Sequence, residues 1–188
     1  MATDLAASSP ESRTDRVGRA LVRRTTGGLA WLLPDGMTLF AVLLAISGPL
    51  EPMLRANGQR VAADALRGFL HLNCHQLVQR CLYVGALPMA LCARCEAIYV
   101  SWVLGAIAIT VARRPLMRVF GWRVLMLVGC ALMVPMLLDA APQLFGLWES
   151  TNARRVSTGA LAGVGVVLVL YPSAWKARDE MRDALRDE

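Results

Sequence analysis

Apolar residues fall along this chain in long blocks rather than short alternating runs, and the polar residues collect between them. Leu29 to Leu50 holds one charge, Asp35 beside Pro34. Ala97 to Ala112 holds none, but its 16 residues are short for a crossing, so that element is expected to begin upstream, near Leu91. Val124 to Leu138 is free of charge, contains Gly129 and Pro135, and continues past Asp139 as an apolar stretch to Trp148. Val156 to Trp175 runs 20 residues without a charge and carries Gly159 and Gly163 at the four-residue spacing that lets membrane helices approach closely. A helix needs about 20 apolar residues to cross the hydrocarbon layer, whereas a barrel strand alternates lipid-facing and interior positions. None of these blocks alternates. The pattern predicts an all-α polytopic membrane protein with four transmembrane helices, at about 29–50, 91–112, 122–142 and 156–175.

Composition agrees: 56% of the 188 residues are hydrophobic and 18% charged, and the mean hydropathy is +0.46. These values exclude a disordered chain, a coiled coil and a secreted mini-protein. The 20 basic residues, all Arg except Lys176, outnumber 14 acidic ones. They flank the apolar blocks instead of forming one basic face interleaved with aromatics, which argues against nucleic-acid binding and for the lipid bilayer as the chain's partner.

Their distribution also sets an orientation. Thirteen lie before the first span, between the second and third, or after the fourth; seven lie in the other two connections. Both termini are therefore expected to be cytoplasmic, in an integral protein of the cytoplasmic membrane. Residues 1–28 read as a flexible cytoplasmic leader, 29–175 as the membrane domain, and 176–188 as a charged cytoplasmic tail. Gly36 to Leu50 resembles the apolar core of a signal peptide, but 35 residues precede it, so an uncleaved first helix is the expectation.

The long first loop, 51–90, and the connection from Asp139 to about Arg155 then share the extracytoplasmic face. Val61 to Val78 has near-helical apolar spacing and predicts an interfacial helix, with Cys74 and Cys81 on one face and His71 and His75 on one face. Cys92 and Cys95 form a C-x-x-C pair where the second span should start, and the positive end of that helix together with Arg94 favours thiolates there. Two thiolates need two more donors for a tetrahedral site. Cys74 and His75 supply them, with His71 as a substitute, and zinc is the expected metal. Two alternatives stay open: a membrane thiol-disulfide oxidoreductase using Cys92 and Cys95, with Cys74 or Cys81 as exchange partner, or a purely structural tether. Haem attachment is excluded because Glu96, not His, follows Cys95. Cys130, inside the third block, reads as a core thiol.

A second polar group surrounds the third connection. Asp139 and Gln143 are four apart at the end of one span; Glu149, Asn152 and Arg155 are three apart at the start of the next. Charges at membrane depth are costly, so these side chains should point inward and pair. With Gln76, Arg80 and Arg94 they outline a polar pocket for a small molecule or lipid head group. The plainer reading is a capped helical hairpin with Ser150 or Asn152 as N-cap. No nucleophile elbow, phosphate loop or H-E-x-x-H pattern is present.

The runs Cys74-His75-Gln76, Arg80, Cys92-x-Arg94-Cys95-x-x-Ile98-Tyr99, Asp139-x-x-x-Gln143-x-x-Gly146 and Glu149-Ser-Thr-Asn152-x-x-Arg155-x-x-Thr158-Gly159 resemble a family of small predicted bacterial and archaeal membrane proteins of unknown function. The resemblance covers roughly Leu70 to Gly163. The chain departs from that pattern at Glu96-Ala97, where the family has a small or hydroxyl residue followed by Gly. The resemblance implies that the two polar groups are real features and implies no reaction.

Overall fold

The computed structural model describes the backbone of residues 13–186, and side chains from Leu33 onward except those of residues 144, 184 and 185. The elements in order are α1 (Arg13–Ala56), α2 (Arg60–His71), a 3-10 turn (Val78–Arg80), β1 (Cys81–Val84), β2 (Leu87–Cys92), α3 (Ala93–Val111), α4 (Arg113–Val119), α5 (Gly121–Leu144) and α6 (Asn152–Arg186). Four stretches are long and apolar enough to cross a membrane: Leu33–Ala56, Ala93–Val111, Gly121–Gln143 and Asn152–Asp183. Helix is the form such segments must take, because hydrocarbon offers no partner to a backbone N–H or C=O left unpaired. The fold is thus an all-α polytopic membrane protein carrying one small hairpin. Residues 1–12 of the expected leader lie outside the described residues, while 13–28 is helix continuous with the first span.

The central helix is α6, packed against α3 on one side and α5 on the other, with α1 laid across α3 and α6. Glycines set both seams. A Cβ on Gly159 would lie 2.6 Å from the Arg94 carbonyl, and one on Gly163 would collide with Ser101 Oγ and the Ile98 carbonyl. The Gly159/Gly163 spacing therefore serves the α3–α6 seam. The α5–α6 seam rests on a reciprocal pair, since a Cβ on Gly129 or on Gly165 would come within 2.6 Å of the other's carbonyl oxygen. Among the described residues, polar bonds between helices are few inside this core: Trp102 Nε1 donates to Thr38 Oγ1 at 3.1 Å, and Thr38 Oγ1 lies 2.9 Å from the Tyr171 hydroxyl. At the end holding α4, Arg113 stacks over Trp175 at 4.9 Å. Asp35, the lone charge of the first block, faces Arg178 at 3.8 Å in that same region.

At the opposite end the loop departs from the sequence expectation. The interfacial helix over Val61–Val78 stops at His71, so Cys74 and Cys81 share no helical face; Cys74 lies in the following loop and Cys81 opens β1. A two-stranded antiparallel hairpin replaces the rest of the helix, pairing Val84 with Leu87 across Gly85 and Ala86. Gly85 adopts φ +60° at the first turn position, where a tight hairpin favours glycine. Met89, Ala90 and Leu91 of β2 are buried against α1, so the short apolar run works as a strand and not as the beginning of a span. What does form of the interfacial helix is α2, with Val61, Phe69 and the adjoining Leu72 exposed outward. Cys130 is also corrected: it faces outward from α5 and is not a core thiol.

Replacing Gly163 with alanine should lower the unfolding midpoint in detergent, with overpacking costing about 1–3 kcal/mol. Gly36→Ala is the control: nothing lies within 4 Å of that site, and the midpoint should hold or rise slightly.

Candidate metal centre and its cavity

The site begins with a buried acid. Glu51, near the end of α1, is fully buried and accepts hydrogen bonds from Arg55 and from Arg67 of α2, at 2.8–3.0 Å. This clamp fixes α2 on α1. Past α2 the chain turns sharply at Gln76, φ +54°, whose side-chain amide donates to the Arg67 carbonyl at 2.8 Å. Cys74 is thereby held, buried, beneath the hairpin. Strand β2 returns the chain so that the Cys92 N–H donates to Cys74 Sγ at 3.3 Å. Cys92 then caps α3 and Cys95 stands one turn inside it.

The three sulfurs of Cys74, Cys92 and Cys95 all lie within 4.8 Å of one another. Tetrahedral zinc thiolates hold their sulfurs about 3.8 Å apart, from bonds of about 2.3 Å, so this cluster can hold a metal ion with small side-chain adjustments. Hydrogen bonding with Cys74 and then Cys95 pulls the Cys92 thiol well below its usual range, whereas the same contact with Cys92 raises Cys74. Cys81 stands apart from this group: burial pushes its thiol up to about 11, and it donates to the Leu77 carbonyl. Of the four ligands expected from the sequence, three meet; His75 is exposed on the wall of the neighbouring cavity, and His71 ends α2 outside the thiol group.

That cavity, of about 420 Å³, opens beside the thiols and is lined by His75, Gln76, Arg80, Arg94, Gln143 and Arg155 among others. The other polar residues surround it. Arg94 pairs with Asp139 across α3 and α5. Gln143 donates to the Asp139 carbonyl, and Arg80 reaches Glu149 at 3.0 Å. Asn152 donates to the Cys81 carbonyl at 3.2 Å, tying the start of α6 to the hairpin. Arg155 donates to Asn152 Oδ1 at 3.0 Å and Gln143 Oε1 at 3.4 Å. The two polar groups thus occupy one end of the bundle.

Local signals place these residues. Gly146, φ +66°, ends α5 with a paired backbone closure, its N–H on the Gln143 carbonyl and that of Leu147 on the Pro142 carbonyl. The N-cap of α6 is Thr151, whose Oγ1 accepts the Arg154 N–H at 3.3 Å, in place of the expected Ser150 or Asn152. Glu96 is buried with its carboxylate against Gly48 of α1. Sequence reasoning missed the Glu51–Arg67 clamp. Its signal was present, since a lone acid among apolar residues beside Pro52 marks a charge that must be paired.

Asp139→Asn should destabilise the protein by about 3 kcal/mol, because it strands the largely buried Arg94 guanidinium. A double-mutant cycle with Arg94→Gln, read by unfolding in detergent, should show strong coupling; additive losses would show that the pair is not a unit.

Comparison with known proteins places this arrangement in a family. An uncharacterized protein of Methanocaldococcus jannaschii is 34% identical over 103 residues, which cover 54% of this chain and 63% of that one. The chain therefore matches less than two thirds of that curated relative's length. No solved structure matches the chain. Residues 74–169, from the first thiol of the cluster into α6, match the family described as "Predicted membrane protein (DUF2085)", and the chain belongs to that family.

Proposed function

We propose that this is a membrane protein built around a zinc–thiolate centre, with Cys74, Cys92 and Cys95 as ligands and the fourth position turned toward the adjoining cavity. The observation that carries the reading is the convergence of three sulfurs from a loop, a strand end and a helix start within 4.8 Å. Sulfur-rich tetrahedral sites suit zinc, and a site with three protein ligands keeps a position for water or a bound molecule. His75 serves as the fourth ligand if its loop turns inward. The metal ties the hairpin to α3, and the cavity beside it receives a small molecule or lipid head group for binding or transport. The asymmetry of basic residues supports an orientation with this end of the bundle on the extracytoplasmic side and both termini in the cytoplasm.

One observation favours a rival, a thiol-disulfide oxidoreductase: Cys92 stands at the N-cap position of the helix that holds Cys95, within a thiol group whose hydrogen bonding favours its thiolate. There the Cys92 thiolate attacks a partner disulfide. Cys95 then attacks the Cys92 sulfur of that mixed disulfide, so that a Cys92–Cys95 disulfide forms and the partner leaves as a dithiol carrying the two electrons and two protons.

Metal analysis and a thiol count on purified protein separate the two. About one zinc per chain, lost on Cys95→Ser, is the expected result. Metal-free protein whose Cys92 and Cys95 shift reversibly between thiol and disulfide overturns it. For orientation, a cysteine at Gln59, in the turn between α1 and α2, should react with a membrane-impermeant maleimide in intact cells; protection until lysis reverses the assignment.

A further inference from the structure

Arg155 is only 4% exposed, yet its hydrogen-bond partners among the described residues are neutral, the side-chain oxygens of Asn152 and Gln143. It sits in the first turn of α6, which holds no acidic residue, at the helix end where the backbone dipole disfavours a cation. A buried guanidinium in that position requires an anion. The two nearby carboxylates are engaged: Asp139 by Arg94, and Glu149, itself well exposed, by Arg80. Three guanidinium groups line the cavity and no carboxylate does. Two of those arginines also hold buried donors without an acceptor, Arg80 Nε and Arg94 Nε. A divalent metal on three thiolates leaves one net negative charge, but it supplies no acceptor to those two N–H groups.

We propose that the cavity binds a phosphate-type oxyanion, with Arg155 as its principal counter-charge and Arg80 and Arg94 as flanking donors. Donors from three separate elements suit a tetrahedral group with several oxygens better than one planar carboxylate. The volume, about 420 Å³, exceeds what inorganic phosphate alone occupies. Two sources share this chemistry: a water-soluble phosphate ester such as glycerol phosphate, and the head group of a phosphate-bearing lipid such as phosphatidylglycerol. The inference rests on the proposed function only in taking the cavity as a ligand site; it does not require the metal.

The test uses the full chain in maltoside and phosphate-free buffer. One arm titrates inorganic phosphate and glycerol 3-phosphate, reading the thermal midpoint. The other compares nanodiscs of a galactolipid with and without phosphatidylglycerol, reading the midpoint and the lipid retained in native mass spectrometry. Saturable stabilisation in either arm is expected, the first indicating a soluble ester and the second a head group. Arg155→Gln should weaken it by about tenfold or more, with Arg155→Lys intermediate. Zinc and thiol content are measured on every sample, so loss of metal with phosphate binding intact fails only the metal reading. Absence of saturable binding by wild-type protein in both arms overturns the proposal whether or not the variants fold, as does an Arg155→Gln protein that binds as wild type.

Discussion

A carboxylate with no access to solvent holds the head of this molecule together. Glu51, near the end of the first membrane helix, is fully buried, and its two oxygens accept from Arg55 and Arg67. Burying such a charge is costly, so the pair of arginines is a condition of the fold and not an ornament on it. From that fixed point the chain has little freedom. Arg67 holds α2, its carbonyl holds Gln76, and the tight turn at Gln76 leaves Cys74 facing the start of α3. The thiol cluster is thus assembled from a salt bridge outward.

The depth of the cavity follows from a second constraint, the absence of side chains at the α3–α6 seam. Gly159 lies one turn beyond Arg155 and packs on the carbonyl of Arg94. Any larger residue there would drive α6 away from the C-x-x-C turn and carry Arg155 with it. Membrane helices gain little from hydrophobicity against one another, so close backbone approach is what fixes their relative positions. A stripe of small residues therefore also governs the polar chemistry at the bundle's end.

Much of this was legible in the sequence for physical reasons. Twenty-residue apolar blocks announce spanning helices, and four helices are long and apolar enough to cross, with α1 and α6 running on well past the apolar blocks. The C-x-x-C pair was readable because thiols at a helix start are chemically conspicuous, and Cys74 because an adjacent Cys and His offer the further donors such a pair needs. The hairpin was not: Leu87–Cys92 is buried on α1 and so lacks the polar-apolar alternation of a half-exposed strand. Helical spacing in Val61–Val78 likewise continued past the point where Gln76 turns the chain. Cys130 misled because an apolar residue in a membrane helix can face lipid as comfortably as protein.

The attachments of α5 are of unequal kinds. Along its length it leans chiefly on α6, through the Gly129–Gly165 seam, while at its far end the Arg94–Asp139 pair ties it to α3. Ten residues separate Gly129 from Asp139, about 15 Å of helix. That stretch is a lever arm with a smooth fulcrum and, among the described residues, one charge-to-charge latch, beside the weaker Arg155–Gln143 hydrogen bond. A tilt of a few degrees at the glycines displaces the Asp139 carboxylate by roughly an ångström, so whatever alters the charge around Arg94 acts on α5 at the point of greatest mechanical advantage.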